Sequence, residues 1–497
     1  MDLNEFLTKK YFTIGNLEKG FSLCKDQNLY IEQLDKYCDK LMMDKRYLEL
    51  LSYLNVNFLP KKFDKYIGQC LYFLNEYESA LQYLESYEKN FKDNNIYNYL
   101  GDVCQELDKK KEAIFYYEHA LKYQPNNYLI HGLLAQLYSD VYFFGEKEKQ
   151  IYHAKRAFEL EPNNNVNVFN MFLVTCRFNM VKEAKKYYHE VLKFNPSEPI
   201  LFSYGCFLIR NRNFEDGFKL YRHRFVVDDE SLPKGLHDIW QPNVQIKDKT
   251  ILITYEQGFG DTFMFIRFIR EMKSLCKEVK LLVQEELYDL IKYNYSDFEI
   301  YKPSDIDKIE YDYFIPMLDI PLFINLTPDN IPYKEGYLKV DGSFPIKSDK
   351  FKIGISFEGS LNAIRTGRDM PLKMFEPLMN LPNVELYSFQ VDDKDNQMAE
   401  YPEIIQLRDR FHSFSDTARA LKEMDLVITT DNCILNLACA LGLKTFGLFN
   451  EYQEFRWFDL SEDMGWYNQH AFQCEKFNKW ETVMDKVAEE VKKLTQV

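Results

Sequence analysis

A proline that closes a helical stretch at Pro125 returns at Pro162 and Pro196, after 37 and then 34 residues. The run before the first, "YNYLGDVCQELDKKKEAIFYYEHALKYQP", spaces Leu100, Gly101, Ala113, Tyr117 and Ala120 ahead of Pro125. The later prolines follow "AKRAFELE" and "AKKYYHEVLKFN", a weaker copy with Gly68 and Ala80 comes earlier, and another with Gly205, Gly217 and Tyr221 comes later. Small residues at fixed places let two helices approach closely, aromatic residues fill the adjoining holes, and proline stops the second helix. Such a unit cannot bury its apolar face alone. Stacking on its neighbours is therefore dictated, and the product is a helical solenoid.

The slot pattern resembles the tetratricopeptide repeat, with almost every position of the 97–125 copy filled. Residues 1–235 are read as an all-α domain of this type. The stretch before about residue 60, including "LDKYCDKLMMDKRYLELLSYL", reads as degenerate repeats or a cap. A solenoid of this kind offers an extended concave binding surface and no chemistry of its own.

The period changes after "SLPKGLHDIWQPNVQIKDK", a linker with two prolines at 231–249. "TILITY" then reads as a buried parallel strand, "DTFMFIRFIREMK" as a helix and "VKLLVQ" as the next strand. A second series runs through "FKIGISF", "VELYSF", the helix "SDTARALKEM", "DLVITT", the helix "NCILNLACALG" and "KTFGLF". Strands alternating with helices imply parallel sheets covered on both faces. The two series, separated by an irregular segment around 316–350, predict two Rossmann-like α/β domains at 248–345 and 350–497, the second ending in a helix. Ligands of such sheets bind beyond the carboxyl ends of the strands. A length of 497 residues is enough for this many cores.

Composition narrows the partners. A net charge of −15 and a pI near 5.2 argue against nucleic acid, whose affinity rests on Lys and Arg neutralising phosphates. The start, "MDLNEFLTKKYFTIGN", lacks the apolar core of a signal peptide, and no stretch reads as a membrane span, so the expected location is cytoplasmic. The ten cysteines stand singly without a C-x-x-C pair, and no His and carboxylate cluster has ligand spacing, so no metal and no bound cofactor are expected.

Gly258, Gly260 and Asp261 follow the first strand of the second half. The spacing is that of a dinucleotide fingerprint, but Phe263 occupies the third glycine position, and no Gly-Lys-Ser/Thr follows to make a P-loop. That missing glycine also disfavours an epimerase-like oxidoreductase. Gly258 and Gly260 are read as shaping a tight turn that brings Asp261 to the cleft. Asp261 itself is either a helix N-cap or a carboxylate that accepts a proton from an acceptor hydroxyl. The residues leave both open.

The runs "YEQGFGDTFMFIRFIREMK", "IPMLDIPLFINLTPDNIPYKEGYLKVD", "KIGISFEGSLNAIRTGRDMPLKMFEPLMNLPNVELYSFQ", "MDLVITTDNCILNLACALGLKTFGLF", "EFRWF" and "DMGWYNQHAF" occur in one order from about residue 214 onward. Together they resemble bacterial tetratricopeptide-repeat proteins fused to an ADP-heptose:lipopolysaccharide heptosyltransferase-like domain, glycosyltransferase family nine. The resemblance implies a GT-B fold and an inverting, metal-independent transfer of a hexosyl- or heptosyl-type sugar from a nucleotide-sugar. The acceptor would be a protein or glycan recruited by the repeat groove.

By the same resemblance Asp261 stands where the family has its proposed base, Arg365 and Arg368 lie in the segment approaching the donor pyrophosphate, and Asp431, Asn432 and Asn436 belong to the donor phosphate loop. The family's Thr and His are Asn432 and Asn436 here, and "FEGS" places Glu358 where the family is uncharged. These departures support an alternative: a repeat scaffold whose GT-B half has lost catalysis.

Overall fold

The computed structural model describes residues 26–54, 60–91, 93–140, 146–227, 232–359, 367–452, 454–458, 460 and 464–495. The chain divides into two compact units, one of residues 1–137 and 148–167, the other of 138–147 and 168–497.

The first unit is helical. Its pairs include Asp64–Phe73 with Tyr77–Asn90 and Ile96–Glu106 with Lys110–Tyr123, preceded by Gln27–Met43 and Tyr47–Leu54. The repeat slots explain the packing: Ala80, Ala113 and Ala120 are fully buried, and a Cβ on Gly101 would stand 2.5 Å from the Tyr117 ring. Tyr117 completes the contact by donating to Asp102 at 2.6 Å. Hairpin turns among the described residues carry a left-handed residue, Lys45, Asn75 and Asp108 here and Asn179 and Arg212 in the second unit. Three of the five are the short polar types that tolerate this conformation best.

The second unit continues the helices through Val181–Val191, Glu198–Arg210 and Phe214–Tyr221 to the short Arg224–Val227. Two sheets follow. The first has β1 (Thr250–Thr254), β2 (Glu278–Leu282), β3 (Glu299–Tyr301) and β4 (Tyr313–Pro316) in the order β3-β2-β1-β4. The second has β5 (Phe351–Ser356), β6 (Val384–Ser388), β7 (Ile405–Gln406), β8 (Leu426–Thr430), β9 (Thr445–Phe449) and β10 (His470–Gln473) in the order β10-β9-β8-β5-β6-β7. Every paired neighbour is parallel. β8 and β9 are buried along their whole length, as strands covered on both faces must be. The C-terminal helix Trp480–Thr495 covers one face of the second sheet through Trp480, Val483, Val487 and Val491. β3, β4, β7 and β10 join the strands expected from the sequence.

Residues 168–227 pack with the sheets. One apolar core runs from Ile209 through Phe214, Phe218 and Tyr221 to Phe265 and Trp466, with the Phe214 and Trp466 rings stacked 5.6 Å apart. By packing, residues 138–147 and 168–227 belong to the same unit as the sheets. Arg224 reinforces the join: its guanidinium meets both oxygens of Glu256 at 2.8 Å and Asp319 at 2.8 Å, with all three side chains at most 2% exposed.

Candidate functional site

Four strand ends of the second unit supply the site. The loop after β1 leads into the helix Phe259–Phe265, and the loop after β5 carries Arg368. The loop after β8 holds Asp431 and Asn432 ahead of the helix Cys433–Ala440, and the loop after β9 carries Glu454 and Arg456. All are carboxyl ends of parallel strands, where such sheets bind ligands.

In the first loop the N-cap is Gly258, not Asp261. Asp261 lies three positions on and reaches back to accept from the Gly258 N–H at 3.2 Å. Gly258 has φ −85°, open to any residue, and the turn's left-handed residue is Gln257, at φ +57°. Its side chain holds it there, donating to the Tyr221 hydroxyl at 3.0 Å and accepting from Arg456 at 3.1 Å. A long unbranched side chain in this region is uncommon, and such strain gathers at functional sites. Gly260 sits at a close approach: a Cβ there would stand 3.0 Å from Asn436 Nδ2 on the helix Cys433–Ala440, tighter than an ordinary contact.

The charged groups meet around Asp261. Its Oδ1 takes a bond from Arg456 Nη1 at 2.5 Å, and both side chains are 13% exposed. Arg456 Nη2 donates to Glu454 at 2.9 Å, and the Trp466 indole fixes the Arg456 carbonyl at 2.5 Å. Arg368 faces Asp431 at 3.6 Å. Burial pushes the Asp261 carboxyl above its ordinary value, with Arg456 pulling the other way, and Asp431 rises through burial against Arg368. Burial also opposes ionisation of Glu454, but Arg456 and Arg368 outweigh it and hold this carboxyl below its ordinary value. Two carboxyls with raised proton affinity and one held below its ordinary value thus lie side by side, a pattern typical of acid–base sites.

The remaining expected residues are less exposed to a ligand. Asn432, not Asp431, caps the helix Cys433–Ala440, accepting from Ile434 and Leu435 and donating to Ser356 at 3.1 Å. Asn436 is 5% exposed; it accepts from the Tyr467 hydroxyl at 3.1 Å and donates to the Asn432 carbonyl at 3.3 Å. Glu358 turns away, accepting from Gln397 at 2.6 Å and from the Lys394 N–H at 3.3 Å. Arg365 lies outside the described residues. Gln257, Glu454 and Arg456 received no role from the sequence, although "EFRWF" is among the stretches that carry the family resemblance. Among the described residues no group of three or more His, Cys, Asp or Glu side chains is disposed to hold a metal ion. No helix among them is long and apolar enough to cross a membrane.

The first unit has its own cavity of about 310 Å³, with Asn98, Asp102, Asn127, Leu129, Gln136 and Asn167 among its lining residues. Leu129 is 59% exposed, and Asn98 Oδ1 is buried without a hydrogen-bond partner.

Residues 95–127 match the family model described as tetratricopeptide repeat. The chain carries this repeat. Protein FlbA of Caulobacter vibrioides is 22% identical over 435 residues, covering 79% of this chain and 71% of FlbA. Among solved structures, the Escherichia coli ADP-heptose LPS heptosyltransferase II is similar at 12% identity and a TM-score of 0.38, covering 50% of this chain and 98% of that one. A glycosyl transferase family 9 protein of Veillonella parvula is similar at 13% identity and a TM-score of 0.36, covering 51% and 90% respectively.

Proposed function

We propose that the protein is an inverting, metal-independent glycosyltransferase that moves a sugar from a nucleotide-sugar to an acceptor gathered by the tetratricopeptide repeats. The carrying observation is the convergence of Asp261, Arg368, Asp431, Glu454 and Arg456 from the carboxyl ends of β1, β5, β8 and β9. In this reading Asp261 takes the proton of the acceptor hydroxyl, and its raised proton affinity suits the task. The acceptor oxygen attacks the anomeric carbon opposite the leaving nucleoside diphosphate, which inverts its configuration.

Arg368, oriented by Asp431, offers two parallel N–H groups to the diphosphate, and Arg365 belongs to the same donor segment. These cations supply the charge a metal would otherwise bring. Asn432 shapes the donor loop as a cap, and Asn436 positions Tyr467. The cavity of the first unit, where Asn98, Asp102, Asn127 and Asn167 stand among apolar side chains, supports recruitment of a protein or glycan.

Titration calorimetry with a panel of nucleotide-sugars tests the reading: at least one should bind saturably and compete with its own nucleoside diphosphate. Absence of binding to every member would contradict it. The enclosed side-chain amides of Asn432 and Asn436 favour a second reading, a repeat scaffold with a silent sugar-transfer half. Donor binding without turnover on any acceptor would mark that case.

A further inference from the structure

We propose that Arg456 is a donor-diphosphate residue that Asp261 occupies until the donor arrives, so that donor binding is what frees the base. The proposal rests on the glycosyltransferase reading of the same cleft. As the site stands, the Asp261 carboxylate is engaged on both oxygens, Oδ1 by Arg456 at 2.5 Å and Oδ2 by the Gly258 N–H at 3.2 Å. Both bonds favour the ionised form and offset part of the rise that burial brings, and neither oxygen is free to meet an acceptor hydroxyl while they last.

The charges of the cluster say what must give. Three carboxylates, Asp261, Asp431 and Glu454, face two guanidiniums, Arg368 and Arg456. A diphosphate brings more negative charge into this buried surplus and must draw a cation away from a carboxylate. Arg456 is built for the exchange. Its Nη2 bond to Glu454 at 2.9 Å and the Trp466 bond to its carbonyl act as tethers, while Nη1 spans to the other sheet's loop, to Asp261 and to the Gln257 side-chain oxygen at 3.1 Å. Turning Nη1 from Asp261 to a phosphate oxygen leaves both tethers in place.

The consequence is an order of events. Once Arg456 turns, Asp261 loses its counter-charge in buried surroundings, and its proton affinity rises just when an acceptor hydroxyl must give up its proton. That proton goes to Asp261. The acceptor oxygen forms its bond to the anomeric carbon, and the bond from that carbon to the diphosphate oxygen breaks. The electron pair departs with the diphosphate, whose new charge Arg456 meets. Donor thus precedes acceptor.

Inorganic pyrophosphate is the probe, titrated calorimetrically at constant ionic strength into the full-length protein, with circular dichroism confirming each variant's fold. Asp261→Asn removes the competing charge and keeps an oxygen for the Gly258 N–H. It should bind pyrophosphate about 5- to 10-fold more tightly than wild type, the low end of coupling between linked ligands. Arg456→Gln should bind at least about 10-fold more weakly, and the double variant should match Arg456→Gln alone. Asp261→Ser carries the same expectation should the Asn variant fold poorly.

A purely structural ion pair would make the Asp261 variants bind equally or more weakly, and that result overturns the proposal. Turnover of a nucleotide-sugar by wild type, together with no tightening in either Asp261 variant, would sink the exchange and leave the glycosyltransferase reading standing. Tightening of pyrophosphate without turnover of any nucleotide-sugar would do the reverse.

Discussion

Asp261 shows how one carboxylate serves two ends. It satisfies the Gly258 N–H at the start of its helix, and it lies against Arg456. A helix-terminal role and a chemical role are therefore compatible. Asp261→Asn should leave donor binding at least as strong as in wild type while lowering turnover by about 10²- to 10⁴-fold, the usual range for a positioned base; steady-state kinetics beside calorimetry would show this. The base must be ionised to act, so turnover should fall on acidification through a pKa above the ordinary aspartate value, because burial raises it. Residual donor hydrolysis by the Asn variant should lack that limb. Removing Arg368 should weaken nucleotide-sugar affinity by about 1.5–3 kcal/mol, as for a lost bond to a charged group, with the uncharged sugar alone unaffected. At this scale the sequence showed residue types but not partners. Arg456 reaches Asp261 and Gln257 only because β1 and β9 end at the same place, and nothing local to "EFRWF" or "YEQG" announces a neighbour some 195 residues away.

Among the elements, the helices and long strands were legible because burial on both faces leaves continuous β-branched runs and because the repeat slots recur. β3 and β7, of three and two residues, are too short to show a period, and β4 ends in a proline. The short helix Arg224–Val227 carries more weight than its length suggests. Arg224 is the partner of Glu256 and Asp319, which are 0% and 1% exposed; Arg224→Ala strands the buried Glu256 carboxylate, while Asp319 keeps only its pairing with Arg222. The substitution should cost about 3–5 kcal/mol, read as a lowered denaturation midpoint. Glu256 directly precedes Gln257, so the same variant should also loosen the turn that presents Asp261. In the first unit, Gly101→Ala should destabilise by about 1–3 kcal/mol, since the added Cβ meets the Tyr117 ring.

For the whole molecule, the placement of residues 168–227 changes where the chain can be cut. The sequence puts the join near residue 235 because the period ends there. The packing joins residues 168–227 to the sheets, because Phe214, Phe218 and Tyr221 complete their core. A fragment of residues 168–497 should fold and hydrolyse donor slowly, yet fail to modify a macromolecular acceptor, whereas 236–497 should not fold; far-UV circular dichroism and thermal melts would separate them. The central claim is that the cleft bearing Asp261 transfers a sugar from a nucleotide-sugar. Its most direct test is the release of nucleoside diphosphate from a panel of nucleotide-sugars, followed by mass spectrometry for wild type and Asp261→Asn in parallel. Wild type should release nucleoside diphosphate from at least one donor, and the variant that still binds that donor should lose nearly all of that release. Equal release by both proteins, or none from any donor by wild type, would contradict the claim.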